Sequence, residues 1–161
     1  VRGWATAQDF PGKPIINRGF GGSELSDIIH YYERVIRPYA PAKIFVYAGD
    51  NDIGRGKSAA QVVADYKTLV SLVQSDFPGT QFIYISINPS IARWDKWPAM
   101  VEANRMVEAY AARHENLGYA DLATPLLDDN GLPGPVFADD GLHLNDEGYR
   151  RWRVALAPYL D

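Results

Sequence analysis

Three short motifs in this chain carry groups suited to chemistry. They are, in chain order, residues 17–22 (Asn-Arg-Gly-Phe-Gly-Gly), residues 49–52 (Gly-Asp-Asn-Asp) and residues 140–143 (Asp-Gly-Leu-His). Gly22 can offer a backbone N–H beside a helix N-terminus, and the amide of Asn51 can add a second donor. Asp140, three residues before His143, can accept the imidazole Nδ1–H and leave Nε2 as a base. Together these groups would stabilise an oxyanion and activate a nucleophile.

Each motif also has a plainer interpretation. The glycine-rich motif is typical of a strand-to-helix turn with Ser23 as the N-cap. Residues 49–52 alone are typical of a turn, and a lone His143 is more often a surface histidine than a base. The functional interpretation therefore depends on the three motifs meeting in the fold.

Hydrophobic periodicity predicts the elements that would bring the motifs together. Short apolar runs predict strands at residues 13–17, 43–48, 81–87 and 117–122. Helical spacing predicts helices at residues 25–35, 58–77 and 98–114, and a last helix capped by Asn145. This alternation predicts a parallel sheet with helices on both faces. Ligands bind outside the carboxyl ends of such strands, where we expect all three motifs to lie.

Composition limits the kind of protein. The sequence is most simply one domain, residues 1–161, with no repeat or linker. It has 16 Lys and Arg against 20 Asp and Glu, a net charge of −4 without a basic run, which argues against nucleic acid as a partner. The absence of cysteine excludes disulfides and a thiol nucleophile. No segment reaches the roughly 18 apolar residues of a membrane span, and the composition does not fix the compartment.

The order and spacing of the motifs resemble those of the GDSL esterases and lipases, also called SGNH hydrolases. Gly22 matches the family's second block, residues 49–52 its Gly-x-Asn-Asp block, and residues 140–143 its Asp-x-x-His block. The resemblance covers nearly the whole chain. It implies a three-layer αβα sandwich with a parallel, flavodoxin-like sheet, and hydrolysis of a carboxylic ester through an acyl-enzyme without a cofactor or metal.

The same resemblance implies roles for particular residues. His143 would be the general base and Asp140 the residue that orients it. The Gly22 N–H and Asn51 would be oxyanion donors.

The family's first block, Gly-Asp-Ser, is not found in the 161 residues. In relatives this block supplies the nucleophile and is soon followed by Gly-Trp or Gly-Tyr, and this chain opens with Val-Arg-Gly-Trp. The resemblance therefore predicts that the sequence starts just after the catalytic serine and the first strand of the domain. Ser23 and Ser90 are the alternatives within the chain, but neither lies in a Gly-x-Ser-x-Gly elbow.

Residues 89–98 are expected at the same sheet edge and supply candidate substrate contacts. Ser90, Trp94 and Trp97 could wall a pocket for the acyl or alcohol group, or Trp97 could simply pack on the next helix. There is no long apolar flap of the kind an interfacial lipase might use, which favours a short-chain or acetyl ester as the small-molecule substrate. The sequence leaves the oligomeric state open.

The sequence also allows three alternatives to an esterase. A metal-dependent phosphohydrolase would take its ligands from a set of acidic residues and one histidine: Asp50, Asp52, Asp139, Asp140 and His143. Such sites usually need several histidines, and the chain has three in total. A dinucleotide-binding domain is disfavoured because residues 19–24 lack the third glycine of its fingerprint. The third rival is a non-catalytic binding module of the SGNH type that lacks the nucleophile.

Overall fold

Alternating strands and helices build a parallel sheet with helices around it. The fold is known from a computed structural model, which describes residues 1–160. Within these residues the strands are β1 (Lys43–Val46), β2 (Gln81–Ile85) and β3 (Leu117–Ala120). The α-helices are α1 (Thr6–Asp9), α2 (Leu25–His30), α3 (Tyr32–Val35), α4 (Asp50–Gly54), α5 (Ala59–Asp76), α6 (Trp97–Ala111) and α7 (Asp146–Leu156). Short 3₁₀ turns cover Arg37–Tyr39, Trp94–Lys96, Thr124–Leu126 and Ala157–Tyr159.

The sheet has the order β1-β2-β3, and both pairs of strands are parallel. Ile44 of β1 is paired with Phe82 of β2, and Tyr84 of β2 with Tyr119 of β3. All three strands therefore end at the same edge. The predicted parallel α/β fold is confirmed.

The central strand is buried on both faces, as its unbroken apolar run predicts. Phe82 and Tyr84 pack into a core cluster that includes side chains of α2, α5 and α6. Ile83 and Ile85 point the other way, into a cluster that includes Trp152 of α7. Fully burying such a side chain stabilises the fold by about 1.5–3 kcal/mol. The alternation along β2 thus separates the helices into two layers with the sheet between them.

The predicted N-caps of α5 and α7 are confirmed. The Ser58 hydroxyl accepts the N–H of Gln61, whose side-chain oxygen in turn accepts the Ser58 N–H at 2.8 Å, which is a capping box. Asn145 caps α7 by accepting the Gly148 N–H at 3.0 Å. No helix in the described part of the chain is long and apolar enough to cross a bilayer.

The predicted strand at residues 13–17 is wrong. The Ile15 N–H bonds locally to the Lys13 carbonyl, so it makes no ladder. Asn17 instead uses its side-chain amide, which donates to the carbonyls of Val1 and Trp4 at 2.9 and 3.1 Å. The apolar run forms no strand and is tied to the N-terminal segment by this side chain.

The N-cap prediction for Ser23 is also wrong. Helix α2 begins one residue later, with Glu24 as its N-cap. The Glu24 N–H donates to Asp27 Oδ2 at 2.9 Å, while the Ser23 hydroxyl donates to the Phe20 carbonyl at 3.1 Å. Ser23 therefore closes the glycine-rich loop instead of capping the helix.

All three strands end earlier than the predicted runs, and beyond β2 and β3 side chains replace the strand partners. The amide of Asn104, on α6, bonds both the N–H and the carbonyl of Ile87, at 2.7 and 2.9 Å. The Ser86 hydroxyl accepts the N–H groups of Leu122 and Ala123, each at 2.9 Å. These bonds end the ladder and start the loops at the carboxyl edge.

Candidate active site

The turn after β1 requires glycine. Gly49 has a φ of +115°, a conformation that L side chains rarely adopt. A Cβ there would lie 2.6 Å from Ile87 Cδ1 and 2.8 Å from the Tyr84 hydroxyl oxygen. The Tyr84 hydroxyl itself donates to the Ala48 carbonyl. This tightly packed turn leads from β1 into α4 and brings Asn51 to the sheet edge.

The Asn51 amide is fixed by partners on two other segments. Its Oδ1 accepts from Arg93 Nη2 at 3.0 Å, and its Nδ2 donates to the Ser23 carbonyl at 3.0 Å. A guanidinium can only donate and a carbonyl can only accept, so the two partners demand the same orientation of the amide. One Nδ2–H remains without a partner among residues 1–160. The second motif is thus joined to Ser23, the residue that follows the first motif.

Gly22 lies next to Ser23 with a φ of +70°. A Cβ there would make only an ordinary contact, 3.7 Å from Arg55 Nη2, so the backbone conformation is what favours glycine. Gly22 is exposed, and its N–H donates to no group in the described residues. This N–H is therefore available to a ligand.

Asp140 and His143 form a close pair. His143 Nδ1 lies 2.6 Å from Asp140 Oδ2, and Asp140 Oδ1 accepts the N–H groups of Leu142 and His143, each at 2.9 Å. The hydrogen bond from the imidazole, aided by these two backbone donors, lowers the pKa of Asp140 to about 2. An ionised carboxylate only accepts, so Nδ1 carries the proton and Nε2 is free to act as a base. The His143 side chain is 76% exposed and thus accessible.

The loop that carries this pair is anchored to the segment after β2. The Gly141 carbonyl accepts the Ala92 N–H at 3.0 Å. Gly141 has a φ of +63°, and a Cβ there would lie 3.2 Å from Ile91 Cβ. The neighbouring Arg93 bonds Asn51. Of these two consecutive residues, Ala92 thus contacts the His–Asp loop and Arg93 contacts the amide. Hydrogen bonds therefore link all three motifs into one chain of contacts.

Sequence reasoning missed the part played by Arg93. The signal was present: Arg93 is the one arginine of the loop that follows β2, and β2 is the neighbour of the strand that leads to Asp50. In the structure Arg93 Nη1 pairs with Asp50 Oδ2 at 3.0 Å.

The predicted substrate residues differ in what they can offer a ligand. Ser90 is only 4% exposed. The rings of Trp94 and Trp97 stack, with centroids 6.0 Å apart and planes at 16°. Both side chains are half-buried: Trp97 packs against the core beneath α6, and Trp94 lies in the preceding 3₁₀ turn. Asn88, in the loop that follows β2, has a buried Oδ1 without a partner in residues 1–160.

The candidate ligands of a metal centre are not brought together. Asp52 is buried, accepts the Leu25 N–H at 3.2 Å and pairs with Lys57 Nζ at 2.9 Å. Asp50 pairs with Arg93 and Asp140 with His143. Over residues 1–160, no group of three or more His, Cys, Asp or Glu side chains is arranged to hold a metal ion. The structure thus gives Asp50, Asp52 and Asp140 separate partners.

Fold and site together define an α/β protein whose parallel sheet carries a His–Asp pair and free hydrogen-bond donors at its carboxyl edge. The chain belongs to the GDSL-like lipase/acylhydrolase family, whose model matches residues 2–151. The predicted membership of this family is therefore confirmed.

Solved structures show the same fold at low sequence identity. One is a protein from Streptococcus pneumonia with the provisional description of platelet activating factor, at 24% identity and a TM-score of 0.87, covering 98% of this chain and 78% of that one. Another is a GDSL-like lipase from Bacteroides thetaiotaomicron, at 19% identity and a TM-score of 0.78, covering 90% and 74%. A third is an acetylxylan esterase from Geobacillus stearothermophilus, at 17% identity and a TM-score of 0.74, covering 90% and 71%. A search of curated protein sequences finds no match.

Proposed function

We propose that this protein hydrolyses carboxylic esters through an acyl-enzyme, with His143 as the general base. The observation that carries the proposal is the 2.6 Å contact between His143 Nδ1 and Asp140 Oδ2, on a histidine whose side chain is 76% exposed. Membership of an acylhydrolase family supports a hydrolase. The free N–H groups of Gly22 and Asn51 supply the electrostatic part of the reaction.

The proposed reaction needs one proton carrier and one oxyanion site. His143 Nε2 takes the proton of a serine hydroxyl as its oxygen attacks the ester carbonyl carbon. The carbonyl oxygen becomes an oxyanion that accepts from the Gly22 N–H and the Asn51 Nδ2–H. The intermediate then expels the alcohol, which receives the proton from the imidazolium. Water repeats the cycle on the acyl-enzyme and releases the acid.

Ser23 and Ser90 are the candidate nucleophiles within the chain. The Ser23 hydroxyl is already engaged with the Phe20 carbonyl, and Ser90 is buried. Within residues 1–160 the His143 ring is hydrogen-bonded to Asp140 and to no serine. We therefore assign no serine of this chain to the attack.

An acetyl or other short-chain ester is the proposed substrate. Similarity in fold to the acetylxylan esterase supports acetyl chemistry. The half-buried Trp94 offers one apolar wall, which suits a small acyl or alcohol group better than a long chain.

The test is intact mass spectrometry of the full natural protein before and after a fluorophosphonate probe, with p-nitrophenyl acetate hydrolysis measured in parallel. We expect one covalent adduct, and peptide mapping then identifies the serine. Labelling and hydrolysis should both fall at least about 10²-fold in His143→Ala. The matched control is His114→Ala, because His114 is engaged with the Tyr110 carbonyl beyond the end of α6.

Each outcome has a clear meaning. Retained activity in His143→Ala would show that the assignment of the base is wrong. No labelling and no hydrolysis would favour the non-catalytic binding module instead. Hydrolysis that survives a chelator would dismiss the metal-dependent rival.

A further inference from the structure

A single guanidinium bridges the two residues at the start of α4. Arg93 Nη1 donates to Asp50 Oδ2 and Nη2 donates to Asn51 Oδ1, each over 3.0 Å. The two acceptors belong to consecutive residues, and the two donors are the terminal nitrogens of one rigid planar group. Such a forked contact fixes direction as well as distance.

The guanidinium also lies against the backbone at the end of the same helix. A Cβ on Gly54 would be 3.0 Å from both Cζ and Nε of Arg93 and 3.3 Å from Nη1. Gly54 therefore provides the space that the planar group occupies. Three positions of α4 thus hold Arg93 in one place.

This arrangement is sheltered from solvent. The Arg93 side chain is 22% exposed and that of Asp50 is 19% exposed. Charge-assisted hydrogen bonds are stronger in such surroundings than at a fully solvated surface. The positively charged guanidinium donates directly to Asn51 Oδ1. It therefore withdraws electrons from the amide and makes the free Nδ2–H a better donor.

We propose that Arg93 is a positioning residue for the oxyanion site, which it serves by locking the Asn51 amide in the orientation that leaves one Nδ2–H without a protein partner in residues 1–160. This inference rests on the proposed esterase function. The Ala92 N–H bonds the Gly141 carbonyl in the loop of the His–Asp pair. Residues 92 and 93 therefore set the separation between the base and the oxyanion donor, a spacing to which catalysis is sensitive.

The test compares Arg93→Met, Gly54→Ala and the double variant in the full natural protein, using p-nitrophenyl acetate. Arg93→Met should lower kcat by about 10- to 100-fold, because the donor is misaligned but still present, and should change KM by less than about two-fold. Gly54→Ala should lower kcat by a smaller factor, because the new methyl group displaces the guanidinium. When Arg93→Met is already present, Gly54→Ala should have no further effect on kcat, because the guanidinium that the new methyl group displaces is gone.

Two further measurements separate positioning from general stability. Added guanidinium, at non-denaturing concentration, should restore part of the kcat of Arg93→Ala and none of that of His143→Ala. The side-chain amide signals of Asn51 in ¹⁵N NMR should shift in Arg93→Met. The matched control is Arg150→Met, which removes a surface contact to Glu147 on α7 and should leave kcat unchanged.

The outcomes distinguish this inference from the function on which it rests. If His143→Ala abolishes hydrolysis while Arg93→Met keeps its kcat and its Asn51 amide signals, the inference is overturned and the esterase stands. If His143→Ala keeps full activity, the proposed function fails first. A loss of kcat in Arg93→Met that Gly54→Ala still deepens, with no rescue by guanidinium, would reduce Arg93 to a structural role and overturn the inference.

Discussion

Asn51 Nδ2 donates to the carbonyl oxygen of Ser23 over 3.0 Å, which ties the start of α4 to the glycine-rich loop. The two residues are 28 positions apart, and the bond passes between elements that follow different segments of the chain. It uses one hydrogen of the amide and leaves the other for a ligand. Because Gly22 precedes Ser23, its free N–H lies one residue from this bond.

Removing this amide should impair turnover. Asn51→Ala deletes one proposed oxyanion donor, so we expect kcat for p-nitrophenyl acetate to fall by about 10²–10³-fold with little change in KM. Steady-state kinetics on the full protein measure both. The matched control is Asn130→Ala, because Asn130 is exposed in the loop between Leu127 and Pro133, which form an isolated β-bridge. An unchanged rate in Asn51→Ala would remove this residue from the oxyanion site.

The parallel sheet and the helix caps could be predicted from sequence because their signals are local. An unbroken apolar run such as that of β2 indicates a strand buried on both faces, and Ser58 with Gln61 indicates a helix start. Residues 13–17 misled the prediction because strand formation depends on a neighbouring strand, which an apolar run cannot report.

The link between the motifs could not be predicted for a similar reason. Arg93 and Asn51 are 42 positions apart, and their contact depends on where two loops end. Ser23 was misassigned because the helix starts one residue later, with Asp27 accepting the Glu24 N–H. Residue types and their order indicated the chemistry, but side-chain partners over long sequence distances required the structure.

Gly49 should tolerate no side chain. Gly49→Ala combines a positive φ with a contact of 2.6 Å to Ile87 Cδ1, so it should lower the free energy of unfolding by about 2–4 kcal/mol. Gly56→Ala is the matched control: its φ is +102°, but nothing lies within 4 Å of the new Cβ, so strain alone should cost about 1–2 kcal/mol. Urea unfolding followed by circular dichroism measures both. Equal losses would show that the close packing around Gly49 is relieved at no cost.

Asp52 should stabilise the fold rather than bind a metal. Its carboxylate accepts the Leu25 N–H and pairs with Lys57, so Asp52→Ala leaves both without this partner and should cost about 2–4 kcal/mol of unfolding free energy. Burial raises the pKa of Asp52 above its ordinary value, despite the opposing effect of Lys57. A neutral acceptor is therefore tolerated, and Asp52→Asn should lose only about 1 kcal/mol. If a chelator abolished activity in the wild type, the metal-free interpretation would be wrong.

The pKa of Asp140 depends on its histidine. The value of about 2 lies below the roughly 3.9 of an unfolded chain, so the native state binds this proton less tightly. The stabilisation is therefore complete above about pH 4 and is lost as the pH falls towards 2. In His143→Ala the carboxyl pKa should rise towards its ordinary value, but not fully, because the Leu142 and residue-143 N–H groups remain. Titration of the ¹³Cγ signal by NMR measures this, and an unchanged pKa would show that the imidazole bond contributes nothing.

The two stacked tryptophans should have separable roles. Trp97 packs on the core beneath α6, so Trp97→Ala should lower the free energy of unfolding by about 2–3 kcal/mol. Trp94 is partly exposed and lies outside that core cluster, so Trp94→Ala should cost less than about 1 kcal/mol.

If Trp94 forms a wall of the ester pocket, its loss should instead raise KM, more for p-nitrophenyl butyrate than for the acetate, because the longer acyl group has more apolar surface to bury. Each variant is the control for the other. Should Trp94→Ala unfold as readily as Trp97→Ala and keep the wild-type KM for both esters, Trp94 would be a packing residue and the pocket would lie elsewhere.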